Sequence, residues 1–328
     1  MNVAMLGAGS WGTTLAVHLA GLGHAVELWS NQRADLAELA AERENRKFLP
    51  GIKLPDGVKV QPELVGALER AEIVVFAVPS QAVRAVAGKV AKLGKGVAPV
   101  CAAKGIELGS LRRMSEVLAE TLGDGAPVVL TGPSHAEEVS RGIPTSIVAA
   151  CADAARARTV QQLFSSGTFR VYTNDDVAGC EYGGALKNVV AIAAGVVDGL
   201  GFGDNTKAAL LTRGLAEMAR LGVALGGRRE TFFGLTGMGD LIVTAISRHS
   251  RNRGVGERFG RGESLESILE SMVMVAEGVP TARAARELGR QQGVDLPIVE
   301  QMCAMMFEGR APREVLERLM SRELKSEN

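Results

Sequence analysis

Short apolar runs alternate with longer stretches of helical spacing through the first half of the chain. The runs 2–6, 25–29, 73–77, 99–103, 127–130, 145–150 and 169–172 are built mainly from Val, Ile, Leu and Ala with few polar interruptions. Unbroken apolar content of this kind predicts strands covered on both faces, as in parallel sheets. Between them, 81–92 and 153–165 have the spacing of helices, and Pro50-Gly51, Pro55-Asp56-Gly57 and the segment 94–96 are turn signals. Strands alternating with helices predict a doubly wound α/β sheet.

The pattern changes after Thr173-Asn174-Asp175-Asp176, a run of helix-capping residues. Residues 177–197 form one long stretch rich in small residues with helical spacing, and convincing strand runs are scarce beyond it. The chain therefore divides near residue 177 into a sheet domain, 1–177, and an all-α domain, 178–328. The polar end, 322–328, is expected to fray.

A chain of 328 residues exceeds what one core usually covers, in keeping with two domains and a cleft between them. With 46% apolar and 23% charged residues it has the composition of a globular protein. Its 37 basic and 37 acidic residues cancel, so no global field draws it to nucleic acid or to an anionic membrane. No apolar stretch approaches the roughly 20 residues that span a bilayer, and the N-terminus lacks a leader pattern, so a cytoplasmic protein is expected. Cys101, Cys151, Cys180 and Cys303 form no CxxC pair, and His18, His24, His135 and His249 have no metal-ligand spacing. Buried thiols in a reducing compartment and no metal site are the expectation. The 40 glycines stand out against 4% aromatics, and many of them fall at strand ends and beside candidate site residues. That placement points to close backbone approaches rather than to low complexity.

Gly7-Ala8-Gly9-Ser10-Trp11-Gly12 fits GxGxxG between a predicted strand and a predicted helix. In that context the first glycine allows a tight turn, the second lets backbone approach a pyrophosphate, and the third lets helix pack on strand. A nicotinamide or flavin nucleotide is the favoured ligand. The second strand ends Leu28-Trp29-Ser30-Asn31-Gln32-Arg33, without the terminal acid that would hold a ribose 2′-hydroxyl. Arg33 leans toward NADP, and neither NAD nor NADP is excluded.

Other strand ends open on the same crevice, at Val78-Pro79-Ser80, Lys104-Gly105 and Thr131-Gly132-Pro133-Ser134-His135-Ala136. Lys187 is the sole basic residue between Cys180 and Val197, among Gly183, Gly184, Leu186, Val189 and Ile192. Loss of solvation there would depress its pKa and make it a proton acceptor near neutral pH; a lysine snorkelling from a helix face is the alternative. A third cluster, Gly237-Met238-Gly239-Asp240 with Ser247-Arg248-His249-Ser250-Arg251-Asn252-Arg253, gathers three arginines among hydroxyl and amide donors. Such a set suits a phosphate monoester.

In these motifs the chain resembles the bacterial-type NAD(P)-dependent sn-glycerol-3-phosphate dehydrogenases. Asn45-Arg46-Lys47-Phe48-Leu49-Pro50, Leu186-Lys187-Asn188-Val189 and Gly203-Asp204-Asn205-Thr206-Lys207 extend the match nearly end to end. The resemblance implies an N-terminal Rossmann-like domain, a helical C-terminal domain and a homodimer. It implies Lys187 as proton acceptor, with Lys104 steadying the oxyanion and Asp240 orienting Lys187 or a substrate hydroxyl. The cofactor side comprises Gly7, Gly9, Ser10, Trp11, Gly12, Asn31, Arg33, Lys104, Ala136, Arg251, Val275 and Glu277. A small phosphorylated triose or glycerol substrate would meet Lys104, Gly132, Ser134, Lys187, Asp240, Ser250, Arg251 and Asn252. Many family members carry Arg or His where this chain has Asn31 and Gln32, so NAD or NADP is expected rather than NADP alone. The competing readings are a two-domain hydroxy-acid or sugar-acid dehydrogenase and a non-catalytic NAD(P)-sensing module.

Overall fold

The computed structural model describes residues 1–94, 96–123, 126–321, 323 and 326. The fraying expected of 322–328 therefore falls mostly outside the described residues. Among them, eight strands form one sheet: β1 Asn2–Leu6, β2 Ala25–Trp29, β3 Val58–Val60, β4 Ile73–Phe76, β5 Ala98–Cys101, β6 Val128–Thr131, β7 Thr145–Ala150 and β8 Phe169–Asn174. Their spatial order is β3-β2-β1-β4-β5-β6-β7-β8. The runs of β1, β2 and β7 coincide with the apolar runs in the sequence, and the other ends shift by one or two residues, as helix and strand ends commonly do.

Two features depart from the expected pattern. β3 has no apolar run: Val58 is buried, but Lys59 faces solvent on a three-residue strand at the sheet edge. A lysine on a short edge strand discourages further strand pairing, and it also hides the strand from a reading based on hydrophobic runs. The sheet is also not wholly parallel. β1 to β6 run parallel, whereas β7 is antiparallel to β6 and β8 is parallel to β7. The connection from β6 to β7 carries only the four-residue helix Ala136–Val139, too short to return the chain along the sheet as a crossover helix does.

The chain leaves β1 toward β2 and β3 on one side and resumes at β4 on the other, so the order reverses between β1 and β4. Ligand crevices in open α/β sheets form at such a switch point, beyond the carboxyl ends of the strands. Val3, Ala4, Met5, Leu6, Val74, Val75 and Phe76 are buried at this centre, which fixes both strand ends rigidly.

From Val177 the architecture is helical. The helix Val177–Gly199 is capped by Asp176, whose carboxylate accepts from Gly179 N at 2.9 Å and from Thr231 Oγ1 at 2.6 Å. Nineteen successive residues, from 179 to 197, are buried. A helix apolar all round belongs at the centre of a bundle, and each buried Val, Leu or Ile contributes roughly 1.5–3 kcal/mol. Helices Asp204–Ala224, Asp240–Ile246, Arg251–Gly260, Gly278–Gln292 and Pro297–Glu308 pack on it.

Glycine sets the closest of these contacts. A Cβ at Gly195 would lie 2.0 Å from Arg253 O, and one at Gly256 would lie 1.9 Å from Ile192 O. Gly199 and Gly260, one turn further along each helix, are equally closed to a side chain. The helix that starts at Arg251 thus crosses the central helix in backbone contact, which brings its N-terminus close to Lys187. Glu181 ties the central helix to the sheet half: its carboxylate accepts from Arg113 Nη1, Ser115 N and Ser115 Oγ at 2.5–2.8 Å. All four cysteines are free and buried, and no helix of the described residues is long and apolar enough to cross a membrane.

Candidate active site

The turn after β1 is held by its glycines. Gly7 N donates to Trp29 O at 2.7 Å, and Gly7 has φ +120° with no room for a Cβ, which would stand 2.5 Å from Ala77 O. A Cβ at Gly12 would stand 1.9 Å from Gly7 O, so the helix Ser10–Gly21 starts as close to β1 as backbone allows. At Gly9 a Cβ would meet nothing within 4 Å. That open side faces the crevice, and Gly9 caps the helix without any side-chain bond to its amides. Asn45 braces the turn from outside, donating to Ala8 O at 2.8 Å and Thr13 Oγ1 at 2.7 Å. Uncapped amides at a helix N-terminus beside a glycine with free space above it fit a dinucleotide pyrophosphate.

A crevice of about 470 Å³ runs from this turn in both directions. Toward the sheet edge its wall includes Ser30, Asn31, Phe48, Ala82 and Lys89. Toward the helical half it includes Lys104, Ser134, Ala136, Lys187, Asp240, Ser250, Arg251, Asn252, Val275 and Glu277. Trp11 lines it with its indole Nε1 buried and unpartnered.

At the helical end lies a buried charge cluster. Asp240 is 2% exposed and bridges two lysines: Oδ2 is 2.7 Å from Lys104 Nζ and Oδ1 is 3.1 Å from Lys187 Nζ. Lys104 Nζ also donates to Gly132 O at 2.8 Å, and Lys187 Nζ donates to Thr244 Oγ1 at 2.6 Å. Gly184, one turn before Lys187, has no room for a side chain against Thr131 Oγ1, and this lets the β6 end and Lys104 approach the central helix. Asp240 itself follows the π-helical turn Leu235–Gly239, whose Gly237 sits against Phe232 backbone.

Burial pushes the Lys187 pKa down from its usual value to about 8; Asp240 opposes this and the Lys104 charge adds to it. Burial alone would raise Asp240, but the two ammonium groups outweigh it and hold the carboxyl below its usual range. The imidazole of His135, in the same wall, is pushed down by burial and by Lys187, and its Nε2 is buried without a partner. The lysine does not snorkel, because its ammonium ends inside the protein.

The helix Arg251–Gly260 opens with Ser250 as cap, its Oγ accepting from Arg253 N at 3.1 Å. Asn252 donates to Asn188 Oδ1 at 2.8 Å and accepts from Gly278 N at 2.9 Å, which orients its amide and leaves one N–H uncommitted. Arg251 Nη1 donates to Val275 O at 3.0 Å while its guanidinium lines the crevice. Glu277 accepts from Ser80 N at 2.9 Å and Ser80 Oγ at 2.5 Å, closing the loop after β4 over the cleft.

The grouped arginines expected from sequence do not converge. Arg253 turns to Asp198 at 2.7 Å and Glu257 at 3.2 Å, and Arg248 is exposed and outside the crevice wall; only Arg251 lies in it. Arg248 lies in the turn before the helix, and two positions along a helix turn Arg253 about 200° from Arg251, so the three face different ways. Arg33 is likewise absent from the crevice wall: it reaches Glu63 at 2.6 Å, with 77% of its side chain exposed. Gly12 lies behind the turn and Gly132 presents its carbonyl to Lys104. The remaining expected residues line one continuous surface. Thr244 and Lys89 join them although neither stood in a sequence motif, and Asn188, part of the Leu186-Lys187-Asn188-Val189 motif, lines the same wall. Thr244 carried one legible signal, its spacing four residues after Asp240 on a helix, which puts the two on one face.

A strand–GxGxxG–helix turn leading along one crevice to a buried lysine, paired with a carboxylate and with its pKa lowered to about 8, defines an NAD(P)-dependent oxidoreductase of the two-domain class. The comparisons with known proteins narrow the class. Residues 2–157 match the family described as NAD-dependent glycerol-3-phosphate dehydrogenase N-terminus, and residues 176–317 match its C-terminus. The chain belongs to this family. It is 51% identical over 331 residues to the glycerol-3-phosphate dehydrogenase [NAD(P)+] of Pelodictyon phaeoclathratiforme, covering 100% of this chain and 99% of that one. It is 50% identical to the enzyme of that name from Geobacillus kaustophilus, covering 99% and 96%. Among solved structures, the glycerol-3-phosphate dehydrogenase of Coxiella burnetii superposes with a TM-score of 0.95 at 35% identity, covering 98% and 99%.

Proposed function

We propose that the chain interconverts sn-glycerol 3-phosphate and dihydroxyacetone phosphate with NAD or NADP. The observation that carries the reading is the carboxylate of Asp240 set between Lys104 and Lys187 at the end of the nucleotide crevice. Hydride exchange with substrate C2 is the chemistry that a nicotinamide held in the crevice would supply. Lys187 takes the C2 hydroxyl proton on Nζ during oxidation and returns it during reduction; a pKa of about 8 suits both directions near neutral pH. Lys104 steadies charge on the C2 oxygen, and Asp240 holds both ammonium groups in place. Gly132 and Ser134 border the substrate space. Ser250, Arg251 and Asn252 receive the phosphate at a helix N-terminus, where backbone amides and the macrodipole favour an anion. Gly7, Gly9, Ser10, Trp11, Asn31, Ala136, Val275 and Glu277 form the cofactor side, with Gly12 packing the helix onto the turn behind them and Lys104 and Arg251 shared between cofactor and substrate.

On this reading the nucleotide domain comprises residues 1–177 and the substrate domain residues 178–328. The enzyme works in the cytoplasm as a homodimer and supplies glycerol phosphate for phospholipid synthesis. Four buried free thiols support a reducing compartment. Exposed Val223, Phe233, Ile242 and Ile246 on the helical half are apolar surface that a second copy would cover. The assay that tests the function follows oxidation of NADH and NADPH with dihydroxyacetone phosphate, and with non-phosphorylated keto acids as competitors. Turnover confined to the phosphorylated ketone is expected. Faster turnover of a keto acid would move the assignment to the hydroxy-acid dehydrogenases, and nucleotide binding without turnover to a sensing module.

A further inference from the structure

The end of β2 is where a dinucleotide site distinguishes a ribose 2′-hydroxyl from a 2′-phosphate: a carboxylate there selects the first and a cation the second. Here β2 closes in Trp29-Ser30-Asn31, with neither charge. The carboxylates nearest to it in sequence and space are already engaged. Glu27 accepts from Gln61 Nε2 at 2.6 Å, Asp35 holds Lys47 Nζ across both oxygens at 2.8 and 3.0 Å, and Glu63 holds Arg33.

A cation arrives from another element. Lys89, on the helix Val83–Ala91 that follows β4, extends across the crevice mouth so that its Nζ donates to Asn31 Oδ1 at 2.5 Å. The same ammonium lies 5.8 Å from the centroid of the buried Trp29 ring, a cation–π contact that steadies its position. Among the described residues no carboxylate pairs with it. Ser30 Oγ accepts from Gln32 N at 3.3 Å and keeps its proton free to donate, and the Asn31 amide nitrogen is uncommitted. One ammonium without a carboxylate partner among the described residues, a hydroxyl and an amide donor thus converge on the wall of the nucleotide crevice that Ser30, Asn31 and Lys89 share.

We propose that Lys89 is the residue that sets the affinity for 2′-phosphorylated nucleotides, supplying from the opposite wall the cation that β2 does not provide. Nothing at this position repels an unmodified ribose, so the arrangement accepts both nucleotides, and Lys89 tunes the ratio between them. The inference rests on reading the crevice as a nucleotide site. The neutral Asn31 and the exposed Arg33, drawn away by Glu63, leave this task to Lys89.

Equilibrium titration of the full-length protein with 2′,5′-ADP and with 5′-ADP separates the two readings without any turnover. In Lys89→Gln, binding of 2′,5′-ADP is expected to weaken roughly tenfold, the scale of one charge-assisted contact, with 5′-ADP changed by less than about twofold. Equal loss of both probes, no loss of either, or a selective loss seen in Arg33→Gln instead of Lys89→Gln would overturn the proposal. Failure of the unaltered protein to bind 5′-ADP would overturn the nucleotide reading of the crevice and the proposal with it.

Discussion

At the glycine turn of the crevice the wall is bare backbone, and six consecutive residues from Gly7 to Gly12 define it. At the other end, side chains from Lys104, Lys187 and Asp240, far apart in sequence, meet in a buried cluster. The turn is intolerant of an added atom at Gly7 and Gly12, where a Cβ would enter backbone space. The cluster is intolerant of any lost charge, because an unpaired ion in the interior costs several kcal/mol. A site that must approach a large, rigid anion uses absent side chains; one that must move a proton uses buried ones with opposed partners.

Substitutions that damage one end and spare the other test this division. Lys187→Ala should have the largest effect, a fall in turnover of roughly a thousandfold, within the range of general acid–base catalysis. Fluorescence titration with NADH should show nucleotide affinity unchanged; a joint loss would mean that the two ends are not separable. Gly12→Ala should do the converse, since a Cβ 1.9 Å from Gly7 O forces the helix off β1. Overpacking of this kind costs about 1–3 kcal/mol, so a lowered melting temperature and NADH affinity reduced roughly tenfold are expected. Residual turnover at saturating nucleotide should stay near that of the unaltered enzyme. Arg251→Ala should have the smallest effect of the three, raising KM for the phosphorylated substrate about fivefold with kcat reduced less and stability unchanged, as measured in steady state.

The two ends also differ in how far they could be read from sequence. The turn is local: strand, glycine spacing and helix are contiguous, so the physical requirement and the letters coincide. The long helix was legible for a related reason, since Asp176 caps it and its residues are small and apolar all round. Lys187 stood out as the sole cation in that stretch, and burial of its ammonium follows from that surrounding. Its partners did not follow from the residues around it: Asp240 was expected only through the family resemblance, and Thr244 not at all. Asp240 and Thr244 reach it because Gly184, Gly237 and the Gly195–Gly256 crossing bring separate segments into backbone contact, a property of packing rather than of any one segment. The three arginines of 248–253 show the opposite error, in which sequence proximity suggested a convergence that a turn at Arg248 and helical geometry at Arg251 and Arg253 disperse. β3 escaped notice because edge strands need no apolar run, and Lys89 because its role depends on a wall formed by two different strands' connections.

The central claim is that the buried Lys187 is the proton acceptor. Its pKa is lowered to about 8, so the neutral, accepting form accumulates as pH rises through that value, and the ammonium, donating form is lost. The decisive measurement is the pH dependence of kcat/KM for glycerol 3-phosphate oxidation in the unaltered enzyme and in Lys187→Ala. The unaltered enzyme should rise to a plateau with an apparent pKa near 8, and the inflection should be absent from the residual activity of Lys187→Ala. An inflection that survives at the same pH in the variant would assign the proton to another group and contradict the account.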